Sequence, residues 1–285
     1  CEPDLPAGLK SLSDRHVDRR ASYMQKTLDN AMKEQGWGWD TVPVNFEIYW
    51  QYGAVDCVIT VHLWYHYKDD IEKYKVAYDL EMNARRVVSA MEDNGVRIDM
   101  EYCERMLTEL KGWVEESKEW AKENWGVNIG SGPQVVDLFQ NRLGQTIDRK
   151  TASGSPSADK EQMAVFAASE DPTIASTAQF ILDVKNADKK ANSYFKNFLL
   201  FQHDGVLHTS FKTLAARTGR MSSTKPALQT ISKADTVLRD AFLPHEGQVL
   251  LSCDYSQVEL RLMCHFSGDP DLAKAFHNAD ATGGD

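Results

Sequence analysis

Residues 249–254, Val-Leu-Leu-Ser-Cys-Asp, constrain the fold of this chain more than any other stretch. An uncharged apolar run of this kind reads as a buried β-strand. It delivers Asp254 at its carboxyl end, after which the sequence turns helical through Arg261. An unpaired carboxylate is costly inside a core but stable where it meets solvent and a divalent cation, so a strand-end aspartate suits a hard-metal ligand. A surface aspartate capping the following helix fits the same spacing.

At 285 residues and 42% hydrophobic content, the chain suits about two domains, or parts of them, with a packed core. It contains no run of eighteen apolar residues, which argues against a membrane span. Cys1, Cys57, Cys103, Cys253 and Cys264 are odd in number and form no CxxC pair, and no signal peptide is present, so a reducing, cytoplasmic setting is expected. The net charge of −10 argues only weakly against nucleic acid, because steering depends on where charge sits. Cys1 in place of an initiator methionine, and an end at Asp285, suggest an interrupted protein: a split gene, an intein junction or a partial read.

Read along the chain, the pattern predicts an amphipathic helix over Arg20 to Gln35 and an aromatic-rich helix through Trp50 to Tyr67. On the latter, Tyr52 and Asp56 stand four apart and share a face, as do His62 and His66. With no third ligand nearby in sequence, the two histidines are read as helix-surface residues rather than a zinc site. Leu80, Ala84, Val87, Val88 and Met91 form a helical stripe ended by Asn94-Gly95, and Asp99 caps a second helix whose core side runs from Met106 to Ala121. Together these predict a long antiparallel helix pair with no visible chemistry. Residues 152–158 read as a flexible loop, and Asp171-Pro172 opens a helix running to about Phe201. Between Lys185 and Lys225, eight cations stand against Asp188 and Asp204, a local +6. With Tyr194, Phe195 and Phe198 among them, this stretch predicts a phosphate-backbone track in which Lys189 and Lys190 take part.

The segment Asp254 to Arg261, DYSQVELR, resembles motif A of the family A DNA polymerases, with Val258 where isoleucine is usual. The resemblance implies that the Asp254 carboxylate and the Tyr255 carbonyl bind magnesium, two ions in the complete enzyme, and that Glu259 is the steric gate against ribonucleotides. Gln257 and Arg261 become positioning residues. A gate carboxylate separates this family from the single-subunit phage RNA polymerases, which carry a small residue there. TGRMSS (218–223) and PALQTI (226–231) resemble further family elements, which implies that Arg220 and Gln229 reach the minor groove near the primer terminus. Thr230 and Ser232 depart from the usual asparagine and proline. YGAVD (52–56) resembles the third exonuclease motif of the proofreading domain, with Asp56 as metal ligand and Tyr52 orienting water. The His-Asp-Glu turn of motif C, which carries the second metal aspartate, does not occur in the chain.

The resemblance implies an α/β, mostly helical chain: the end of an RNase H-like 3′-5′ exonuclease domain (1–75), a helical thumb (76–205) and the first part of a palm (206–285). The implied function is template-dependent DNA synthesis by two-metal phosphoryl transfer, with primer-template DNA, deoxynucleoside triphosphates and complementing polymerase segments as partners. The implied location is cytoplasmic, in the host if the gene is a phage's. The alternative is a non-catalytic DNA-binding subunit that keeps the exonuclease remnant and thumb.

Overall fold

A computed structural model describes residues 6–216 and 218–282, so Cys1, Arg217 and Asp285 lie outside the described residues. In chain order, helices α1 (Leu9–His16), α2 (Arg20–Gln35), α3 (Glu47–Lys73) and α4 (Lys75–Asn94) lead into strand β1 (Val96–Ile98). Helices α5 (Met100–Trp125), α6 (Gly132–Asp137), α7 (Lys160–Ala167), α8 (Pro172–Lys189) and α9 (Lys196–Phe201) follow. The short strands β2 (Gln202–His203), β3 (Val206–Leu207), β4 (Ser210–Lys212) and β5 (Ser222–Thr224) come next. Helix α10 (Thr236–Arg239), strand β6 (Phe242–Leu243), α11 (Val258–Ser267) and α12 (Pro270–Thr282) complete the described elements.

The chain divides into two compact units, one of residues 1–95 and 208–232 and the other of residues 96–207 and 233–285. In the first, α1, α2 and α3 pack on one another around Leu28, Met32 and Val42, with Trp37, Phe46 and Tyr52 against them. Local chemistry sets the helix ends. Gly36 takes φ +67°, which a side chain resists, and its N–H returns to the last turn of α2. The same unit holds the antiparallel β4–β5 hairpin, registered Ser210 to Thr224 and Lys212 to Ser222.

In the second unit α5 packs against α8, α9 and the π-helical turn Lys190–Phe195. Asp99 caps α5 by accepting the Tyr102 N–H, and Asp171 caps α8 by accepting Thr173 and Ile174, with Pro172 in the first turn. The core runs through Val114, Ala121, Phe139, Met163, Phe166 and Ile181, and Phe139 stacks on Phe166 with centroids 4.6 Å apart. A small antiparallel sheet of order β2-β3-β1-β6 joins distant segments, Arg97 pairing with both Val206 and Leu243. Its β2–β3 turn is Asp204-Gly205, both at positive φ, the twist a two-residue hairpin requires.

Several expectations need correction. Residues 249–253 form no strand: they lie exposed, with Leu251 83% accessible, because no other described strand offers them a ladder. The α4 stripe is mostly solvent-facing, with Val88 buried but Leu80, Val87 and Met91 exposed. Helix α4 belongs to the first unit and α5 to the second, where α5 packs against α8 and α9. The 152–158 segment is a loop as expected, closed at its start by the Thr151 N–H donating to the Ser155 carbonyl and the Gly154 N–H to the Thr151 carbonyl.

Candidate functional site

In the second unit Asp254 and Tyr255 end the exposed, irregular segment, Tyr255 at 82% accessibility. Gln257 follows in the left-handed region at φ +47°, and its carbonyl accepts the Arg261 N–H at 3.0 Å, starting α11. Glu259 lies in the first turn of α11, where a carboxylate also answers the positive end of the helix dipole. The guanidinium of Arg261 donates to the Ser256 carbonyl at 2.9 Å, pairs with both Asp280 oxygens at 3.0 and 2.5 Å, and lies 4.8 Å from the Phe276 ring centroid. This pairing holds the Arg261 proton more tightly and keeps the Asp280 carboxyl below its usual range. Arg261 thus ties the motif to α12. No three His, Cys, Asp or Glu converge for a metal among the described residues.

The lysine-rich stretch divides by use. Lys189 is exposed, with Nζ 5.7 Å from the Tyr194 ring centroid. Lys190 is turned inward, 2.9 Å from Asp235, which also caps α10 by accepting the Leu238 N–H. Lys185 is half-buried, donates to the Ala158 carbonyl at 3.1 Å, and has its pKa lowered by burial. The aromatic residues are core: Phe195 and Phe198 are fully buried, Tyr194 nearly so, and Phe198 meets Phe242 at 5.5 Å. They offer no stacking face to nucleic acid, which corrects that part of the track.

In the first unit Arg220 sits on the exposed loop joining β4 to β5, after Gly219 at φ +75°. Gln229 is exposed on the turn Leu228–Thr230, which is fastened to β5 because its N–H donates to Ser223 Oγ at 3.1 Å. Arg220 and Gln229 therefore belong to one hairpin assembly. On α3, Tyr52 and Asp56 share a partner that sequence reasoning missed. Lys10 of α1 is hydrogen-bonded to Asp56 and lies 4.3 Å from the Tyr52 ring centroid. Burial lowers the Lys10 pKa and raises that of Tyr52. His66 stacks on His16 at 4.6 Å, a packing role.

Residues 100–281 match the family model described as DNA polymerase family A. The chain belongs to this family. The family A match includes Asp254, Glu259 and Arg220 and leaves Tyr52 and Asp56 outside it. DNA polymerase I of Mycobacterium tuberculosis is 30% identical over 212 residues, 71% of this chain and 23% of that protein. DNA polymerase I of Bacillus subtilis is 32% identical over 219 residues, 74% of this chain and 24% of that protein. This family A chain thus spans about a quarter of the length of these curated relatives. The fold is similar to the polymerase domain of Pol1 from Mycobacterium smegmatis, solved in complex with DNA primer-template and dNTP. The TM-score is 0.72 at 24% identity, over 99% of this chain and 46% of that one. No helix among the described residues is long and apolar enough to cross a membrane.

Proposed function

We propose that the chain is the motif A-bearing part of a template-directed DNA polymerase, acting on primer-template DNA and deoxynucleoside triphosphates in the cytoplasm together with complementing polymerase segments. The observation that carries this reading is DYSQVELR, residues 254–261, lying inside the stretch that matches the family. Residues 1–75 are the exonuclease-like end, 76–205 the thumb and 206–285 the first part of the palm.

The Asp254 carboxylate and Tyr255 carbonyl are hard oxygen donors at an exposed position, and they fit magnesium as part of a ligand set. Asp254 and Tyr255 would hold part of the coordination of magnesium, which would supply activation of the primer hydroxyl and charge neutralisation at the leaving pyrophosphate. Glu259, five residues on, occupies the space a ribose 2′-hydroxyl needs, and Gln257 orients the turn that presents both. Arg220 and Gln229 bond to acceptors common to every base pair, and Lys189 pairs with backbone phosphate. The exonuclease-like pair is different: the Lys10 ammonium already answers the Asp56 charge, so that carboxylate does not fit a metal as it stands.

Single-nucleotide incorporation tests the reading. The chain alone should not extend a primer. With a polymerase segment supplying the missing His-Asp-Glu turn, extension should appear, and Asp254→Ala should abolish it for every nucleotide. Glu259→Ala should instead shift the ribo- to deoxyribonucleotide ratio of kcat/KM by about a hundredfold, the worth of one packed clash with a buried polar mismatch. Unchanged discrimination removes Glu259 from the gate. DNA binding that persists without extension even in that complemented mixture favours the non-catalytic subunit.

A further inference from the structure

The β4–β5 hairpin is anchored from outside by α4. Glu92 accepts the Phe211 N–H at 2.6 Å, and Arg85, two turns earlier on the same face of the helix, donates to the Phe211 carbonyl at 3.2 Å. The two side chains are themselves paired at 3.0 Å. His208, just before β4, has Nδ1 2.8 Å from the Glu92 backbone carbonyl, a contact in which the imidazole N–H donates. These links span 116 to 126 residues of sequence, so no local turn rule produces them.

In an antiparallel hairpin the N–H and C=O of one residue point to the same side, alternately toward and away from the partner strand. Since both groups of Phe211 are taken by α4, they point away from β5, at the edge a third strand would occupy. The Arg85–Glu92 ion pair supplies one donor and one acceptor there, the pattern a neighbouring strand residue would present. We propose that Arg85 and Glu92 act as a surrogate strand that positions the Arg220-bearing hairpin for DNA. Glu92 is a positioning residue acting through Arg220, and Arg85 completes it. The DNA part of this inference rests on the polymerase reading, whereas the clamp rests on the geometry alone.

The test is a double-mutant cycle on primer-template affinity, read by fluorescence anisotropy with the purified chain, together with amide hydrogen exchange across 208–224. Glu92→Leu removes the acceptor and the ion pair and should weaken binding about tenfold or more, comparable to Arg220→Ala. The double variant should bind no more weakly than the weaker single variant, because a displaced Arg220 has nothing left to lose. Glu92→Gln, which keeps an acceptor for Phe211, should recover most of the affinity. Exchange at Ser222 and Thr224, whose amides Glu92 does not touch, should quicken in Glu92→Leu and not in Arg220→Ala. Multiplicative losses in the double variant, or unaltered exchange across the hairpin, would overturn the proposal. If the wild-type chain binds no primer-template, the DNA part of the proposal is overturned, and hairpin exchange alone then decides the clamp.

Discussion

Adjacent lysines with opposite duties give the sharpest prediction. Lys190 Nζ lies 2.9 Å from Asp235, with side chains 27% and 17% accessible, whereas Lys189 faces solvent. A charged hydrogen bond at this degree of burial is worth about 1–2 kcal/mol net, toward the lower end of the usual range because water still reaches both ends. Asp235 also caps α10, so truncating Lys190 leaves a carboxylate that keeps only its cap. Lys190→Ala should therefore lower the melting temperature by about 2–8 °C while leaving the salt dependence of DNA binding nearly unchanged. Lys189→Ala should do the reverse. Losing one phosphate contact flattens the slope of log affinity against log salt by about 0.9, roughly a threefold difference in Kd over a fourfold change in salt. Thermal unfolding and anisotropy titrations at four salt concentrations measure both quantities on the same preparations. Flattening in Lys190→Ala equal to that in Lys189→Ala, with its melting temperature unmoved, would refute the division of labour.

Burial raises the Cys103 thiol pKa to about 12, so Cys103 should resist alkylation at pH 8 while exposed Cys57 and Cys253 react, as mass spectrometry of iodoacetamide-treated protein would show. The Phe211 N–H, with Arg85, holds the Glu92 carboxyl below its usual range, so the stabilisation it gives is complete above the unfolded-state pKa. It should vanish as pH falls through the folded one, and hairpin exchange protection at 208–224 should drop on acidification below the ordinary carboxylate range. Phe139→Ala, which empties one side of the Phe139–Phe166 stack in a fully buried position, should cost about 3–5 kcal/mol in urea unfolding, and a loss under 1 kcal/mol would mean the core closes over the gap.

Where a feature depends on neighbours in sequence, the residues alone determined it. The helix Arg20–Gln35, the stop at Asn94-Gly95 and the caps at Asp99 and Asp171-Pro172 all rest on bonds made within a turn or two, so their chemistry is local. The motif wording around Asp254 and Arg220 was equally legible, because family membership is written in residue order. Tertiary structure alone decided which charges are available. Lys189 and Lys190 are alike in sequence, and only the position of Asp235, forty-five residues on, separates a solvent-facing cation from an internal one. Tyr194, Phe195 and Phe198 looked like a face for DNA until the packing of α5, α9 and β6 enclosed them. The apolar run 249–253 shows the same dependence from the other side. A helix satisfies its own backbone, but a strand takes its hydrogen bonds from a second segment, so strand propensity without a partner leaves the segment irregular and exposed. Arg97 pairing with Val206 and Leu243, and Glu92 with Phe211, are contacts across more than a hundred residues that no periodicity encodes.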